Sequence, residues 1–267
     1  MAPRLLSCFG KASAAKGDGK GATGDVSAEE QRRGGPVVVE LFTSQGCVES
    51  TAAELLVSRL ARGDFGLQIP VVVLAFHVDY WDYMGWKDPY ASSLFTVRQK
   101  AYVEAFMLDA IFTPQIVIHG TSHCVGNDED AMLSGIAAAP RYPAPTFQAT
   151  FQRPSSDSLQ VSLTGALRTK VDNGGVDVMV AVYQSGLVTD CPGGKNKGRV
   201  LSNDYVVRRL EKLLSVKDAP AKKILSGTVS FTVWEGFNSS KCGLAILVQD
   251  SSRRICGAQN LPFPDSI

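Results

Sequence analysis

The first sustained apolar run begins after Pro36, where Val37, Val38, Val39, Leu41 and Phe42 are broken only by Glu40. A run of that length with one intrusion reads as a buried strand. Residues 43–46 turn the chain. Residues 48–62 then carry Ala52, Leu55, Leu56 and Leu60 at helical spacing, and Gly63 and Gly66 stop the helix. Residues 70–76 are a second buried strand, so the opening predicts a βαβ unit with parallel strands. An aromatic stretch over 77–89 follows, with Tyr80, Trp81, Tyr83 and Trp86. Beyond it the pattern gives a helix over about 94–107 and a strand from Thr113 into a turn at Gly120. An antiparallel return over 122–126 and a short helix to Ile136, capped by Asn127 or Asp128, complete this half.

From Thr146 the period changes. Residues 147–151, 159–163, 176–183, 227–234 and 244–248 read as short strands between Gly, Ser, Asp and Asn, with one helical segment at 204–214 among them. Pro140, Pro143 and Pro145 mark a stiff linker at 141–145. The expected organisation is therefore a tail over 1–35, an α/β domain over 36–140 and a β-rich, sandwich-like domain over 146–267. The tail holds seven of the 25 glycines and few large apolar residues, so it is expected to be disordered. A length of 267 residues suits two domains.

Charge narrows the function. Lys+Arg is 27 and Asp+Glu is 26, a net of +1, which argues against general nucleic-acid binding and electrostatic membrane binding. No apolar stretch approaches the roughly 20 residues of a transmembrane helix. The six cysteines are scattered, without the close pairs of a disulfide scaffold or zinc ribbon. Free thiols in a reducing compartment are expected. Cytoplasmic placement follows, with a plastid or mitochondrion as alternatives because residues 1–17 hold no acidic residue. Cys8 is read as an unmodified tail cysteine rather than an acylation site.

Cys47 carries the sharpest chemistry. It lies just past a strand at the expected start of a helix, where free amides and the helix dipole stabilise a thiolate. The partner position of a dithiol pair holds Ser50, so Cys47-Val48-Glu49-Ser50 is a monothiol site, and Glu49 works against the thiolate. A buried helix-start cysteine of purely structural role is the competing reading. Thr113-Pro114 shifts the balance, because a proline opening a strand needs a special site. A cis-proline beside the thiol is one, and the Thr113–Pro114 bond is expected to be cis.

Strand, cysteine, helix and a later Thr-Pro strand resemble the thioredoxin architecture. Residues 113–120 resemble the cis-proline strand of glutaredoxins. Gly126, Asn127 and Asp128 resemble the turn with which those proteins hold the γ-glutamyl end of glutathione. A longer set of motifs covers most of the chain: residues 38–47, 75–82 with 85–89, Phe95 to Gln99, Thr113 to Gln115, Asn196 to Arg199 and Val206 to Arg208. On these the sequence resembles the thioredoxin-fold family labelled domain of unknown function twelve-twenty-three, in a plant-like, tail-bearing form. The resemblance implies an α/β thioredoxin-like domain followed by a small β-sandwich-like domain, and leaves the reaction open. Many bacterial members carry a second cysteine where this chain has Ser50.

The resulting expectation is a thiol-disulfide or glutathione-linked oxidoreductase. Cys47, Ser50 and Pro114 would be catalytic, and Thr113, Gly126, Asn127 and Asp128 would hold substrate. Trp81 and Trp86 would floor a groove, with Lys87 and Arg98 meeting a carboxylate. A satellite aromatic core is the even alternative for that stretch. Cys124 is a possible resolving thiol, more simply a strand cysteine. His77, His119 and His123 follow no metal-ligand spacing, so no metal is expected. Asn196 to Arg199 is expected to order the interface between the two halves, through Arg199. Glutathione would be a co-substrate, and a disulfide-bearing protein the partner. The alternative is a peptide- or ligand-binding module without turnover, or a regulatory protein docking through its β-rich half.

Overall fold

Side-chain alternation along the first strand decides how the sheet is buried. The computed structural model describes residues 34–267, so the tail reading and Cys8 fall almost wholly outside the described residues. β1 (Val37–Thr43) sends Val37, Val39 and Leu41 to one face and Val38 and Phe42 to the other. Both faces are covered, as an almost continuous apolar run requires. β2 (Val71–His77) runs parallel to β1, in register from Val37↔Val71 to Thr43↔His77. The connection is α1 (Ser50–Arg62), ended by Gly63 at φ 83°. That left-handed angle is the one a glycine adopts without cost. α1 covers one face together with α3 (Glu129–Ala138), and α2 (Ser93–Ala105) covers the other. β3 (Gln115–Ile118) lies antiparallel to β1, and β4 (Ser122–Val125) antiparallel to β3. This half matches the expected order of elements.

The second half overturns the expected fold class. β10 (Val206–Val216) lies beside β2, parallel at Val206↔Ala75. It carries with it β7 (Val176–Gln184), β12 (Cys242–Asp250) and β13 (Ile255–Pro262). The result is one mixed eight-stranded sheet in the order β13-β12-β7-β10-β2-β1-β3-β4. A thioredoxin-like α/β domain followed by a small separate sandwich is therefore not the fold: one β-rich sheet runs through both halves, with three α-helices among the described residues. β5 (Gln148–Ser155), β6 (Ser158–Ala166) and β11 (Ile224–Thr232) form a second sheet. Leu159, Val161, Leu163 and Phe231 from it pack on Val178, Val180, Leu244 and Ile246. β8 (Leu187–Asp190) and β9 (Val200–Asn203) form a hairpin of their own.

The segment 204–214, expected as a helix, is strand β10 from Val206 onward. Its register on β7 slips between Val207 and Arg209 and again between Lys212 and Leu214. Each slip shifts the alternation by a residue, so Leu210, Leu213 and Leu214 fall at helix-like spacing inside a strand.

Candidate functional site

β1 ends at Thr43, and residues 44–49 turn the chain at the carboxyl edge of β1 and β2 before α1 begins at Ser50. Cys47 sits in that turn, three residues ahead of the helix, its N–H donating to the Ser44 carbonyl at 3.0 Å. The residue is 1% exposed. Its Sγ lies 3.4 Å from Glu49 Oε2 and 3.6 Å from the Thr113 carbonyl, two acceptors for the thiol proton. Glu49 is exposed, and hydrogen bonds from its own backbone N–H and from Cys47 hold its carboxyl below the usual range. Ser50 is buried and faces back into the turn, its hydroxyl accepting from Ser44 N at 3.4 Å.

The Thr113–Pro114 bond is cis, as expected. Trp81 Nε1 donates to Thr113 Oγ1 at 2.7 Å, and Lys195 Nζ lies 4.8 Å above the Trp81 ring. Cys47, Trp81, Thr113 and Pro114 thus come together. Gly126 is packed beneath Pro114: its N–H donates to the Pro114 carbonyl at 2.8 Å, and a Cβ there would stand 2.6 Å from Pro114 Cβ. The Asp128 carboxylate caps α3, accepting from Ala131 N at 2.9 Å, and Asn127 is exposed beside it. These three residues do the work of a packed turn and a helix cap.

The remaining sequence candidates separate. Trp86 Nε1 donates to Gln45 Oε1 at 3.1 Å, and Lys87 is exposed on the same loop. Arg98 is buried away from any groove, its Nε 2.6 Å from Glu40 Oε2 and its Nη2 3.0 Å from Glu40 Oε1. Glu40, the one charged intrusion in β1, was the visible sign of this ion pair. Cys124 pairs opposite Ile116 and packs into the cluster between α1 and α3. Burial pushes its thiol up to about 11, which makes it a poor thiolate near neutral pH.

The second half of the chain closes over the turn through the β8–β9 connection. Asn196 Nδ2 donates to the carbonyls of Gln45 at 2.8 Å and Cys47 at 3.3 Å, and Arg199 Nη1 donates to Asn196 Oδ1 at 3.1 Å. Arg199 acts through Asn196 rather than across the interface itself. Gly194 lies against Trp86, where a Cβ would meet Trp86 Cβ at 2.8 Å.

A second cluster, largely unread in the sequence, lies on the other side of the turn. His77 Nδ1 is 2.7 Å from Asp88 Oδ2, and its Nε2, without a hydrogen-bond partner, is 3.8 Å from Glu54 Oε1. Glu54 also accepts from Thr43 Oγ1 at 2.7 Å and from Asn203 Nδ2. Gln45 joins the two sides: its N–H donates to Asp88 Oδ2 at 2.8 Å and its Nε2 to Asn203 Oδ1 at 2.8 Å. Burial raises the Glu54 carboxyl to about 7, against the pull of His77. Burial alone would lower His77, but Asp88 and Glu54 outweigh it and the net shift is upward. Burial likewise disfavours the Asp88 charge, yet His77 holds that carboxyl below its usual value. Glu54 forms part of the wall of a cavity of about 360 Å³, with Ser44, Ser58, Arg62 and Asp204. Glu54 was legible as an acid on the buried stripe of α1 that includes Ser50, Ala53 and Val57; Asp88 carried no such signal. His119 and His123 lie apart from His77, His119 accepting from Val38 N and His123 packed near Phe106.

A family model described as Protein of unknown function (DUF1223) matches residues 38–249. The chain belongs to this family. No curated protein matches the chain significantly. Among solved structures it is similar to a protein of Agrobacterium tumefaciens from a structural-genomics programme, at 26% identity over 86% of this chain and 96% of that one, TM-score 0.58. HBP35 of Porphyromonas gingivalis shares the fold at 14% identity, over 86% of this chain and 75% of that one, TM-score 0.58. In this DUF1223 chain, residues 38–249 span the Cys47 turn, Thr113–Pro114, the Glu54–His77–Asp88 cluster and the Asn196 strap together.

Proposed function

We propose that this DUF1223 chain is a monothiol exchange protein acting through Cys47. One observation carries the reading: the Cys47 sulfur stands between the exposed Glu49 carboxylate and the Thr113 carbonyl, with Ser50 where a second thiol would be. The thiol proton leaves to solvent, against the negative field of the Glu49 carboxylate. The Cys47 thiolate then attacks one sulfur of a disulfide R–S–S–R′, forming Cys47–S–S–R and releasing R′–S⁻. Ser50 cannot resolve that bond. A second thiol, glutathione in a reducing compartment such as the cytoplasm, attacks the R-side sulfur, releasing the Cys47 thiolate and forming R–S–S–G. Trp81 and the Thr113 backbone border the entrance and would seat a peptide or glutathione. At 1% exposure Cys47 is reached only once the turn around it opens.

Incubation with glutathione disulfide, followed by peptide mapping, tests the proposal. One glutathione on Cys47 of the folded protein is expected, formed faster in Glu49→Gln, where the repelling charge beside the sulfur is gone. If Cys47 stays unmodified in the folded protein but reacts after denaturation, exchange is excluded. The site is then a non-catalytic ligand-binding turn, the reading its burial favours.

A further inference from the structure

A cavity of about 640 Å³ lies away from Cys47, between the 89–95 segment and β10. That volume suits a small molecule. Tyr90, Leu94, Phe95, Met179 and Leu210 give it an apolar lining, and Arg208, Arg209 and Lys212 line it from β10. The Arg208 guanidinium is held between two rings, 5.0 Å from Tyr90 and 4.9 Å from Trp234, and Arg209 lies 5.5 Å from Trp234. A guanidinium stacked by its faces keeps its N–H edge available. Among the described residues, neither arginine has a carboxylate within ion-pair distance; Arg208 donates only a long 3.4 Å bond to Gln184 Oε1, and Arg209 bonds to backbone carbonyls of Thr232 and Arg208. Lys212 pairs with Asp177 at 3.6 Å, and Glu211 is the one acid on the lining. Ser92, the cap of α2, also faces the cavity and brings the positive end of that helix. Burial pushes both arginines below their ordinary value, a cost that an anion in the cavity would remove.

We infer that this cavity binds a small amphipathic organic anion, its headgroup on the Arg208 and Arg209 edge and its hydrocarbon body against Leu94, Phe95 and Met179. The two positive groups without carboxylates ask for a carboxylate or phosphate, and the apolar lining asks for a body that a free inorganic ion lacks. The site does not depend on the thiol reading.

Calorimetric titration of the full chain with octanoate, octyl phosphate and 1-octanol tests it. Both anions, or one of them, should bind, with 1-octanol at least about tenfold weaker, and the tighter anion names the headgroup. Arg208→Gln should weaken the anions at least about tenfold. Leu94→Asp changes a side chain that is 70% exposed at the rim, so folding is spared while the added charge repels the anion. Equal binding of 1-octanol, no binding of any probe at millimolar concentration, or anion binding unchanged in Leu94→Asp would overturn the inference.

Discussion

Two of the buried acids, Glu40 and Glu54, have partners that make them behave differently. Glu40, in β1, is paired with Arg98 and also accepts from Tyr102 at 2.6 Å. Arginine keeps its charge at every accessible pH, so this pair is fixed. Glu54, in α1, faces His77, an ionisable partner whose pKa Asp88 and Glu54 raise against its burial. Both acids also reach across to the second half of the chain. Arg98 Nη1 donates to Gln249 of β12 at 3.2 Å, and Glu54 accepts from Asn203 of β9. One acid is held by a permanent cation; the other, beside the Cys47 turn, is held by groups that titrate.

Breaking the fixed clamp should have the largest effect. Arg98→Met leaves Glu40 buried without a counter-charge and should cost ~3–5 kcal/mol in urea unfolding, whereas the double variant with Glu40→Met should recover much of the loss. A cost for Arg98→Met below about 1 kcal/mol, the range of an exposed pair, would show that the clamp is not desolvated.

The same pair shows how far the sequence could be read. Glu40 stood out because one charge in an apolar run must find a partner, but local pattern does not say which cation pairs with it. Arg98 was accordingly assigned to a ligand. β1, α1 and β2 were legible because each buries a face set by its own periodicity. The fold class was not, because it rests on Val206 meeting Ala75 across the whole intervening chain. The bulges of β10 concealed that strand further. Within the site, Cys47 and the cis Thr113–Pro114 bond were visible as residue types in special positions. Gly126 and Asp128 were read as substrate ligands because a packed turn and a ligand turn use the same residues.

The titrating cluster should show itself in stability against pH. Glu54 is raised from its unfolded value of 4.5 to about 7, so folding takes up a proton between those values. Its contribution is therefore lost as pH rises from about 4.5 to about 7. His77, also raised, adds stability that is full below its unfolded value of 6.5 and is lost above it. Asp88, lowered, acts at the acid end, where its contribution disappears as pH falls below 3.8. Unfolding free energy should thus peak in mildly acidic solution and decline by about 2–3 kcal/mol toward pH 8. Glu54→Gln should flatten much of that decline. A wild-type profile level from pH 5 to 8 would mean that Glu54 is ionised throughout.

The smallest effect separates stability from access. Asn196 holds the carbonyls of Gln45 and Cys47, and Gln45 in turn holds Asp88 and Asn203, so the strap supports the thiol turn and the titrating cluster together. Asn196→Ala removes two hydrogen bonds to partly shielded carbonyls, a loss of about 1–2 kcal/mol. Its consequence at Cys47 should be larger than this figure suggests, because opening of a local segment follows the free energy of that segment rather than of the whole fold. If the strap keeps the turn closed, iodoacetamide labelling of Cys47 should accelerate about tenfold in Asn196→Ala, while the Glu40–Arg98 clamp and the bulk of the sheet remain intact. Labelling that accelerates only in proportion to global unfolding would make the strap a part of the fold and not a gate on the thiol.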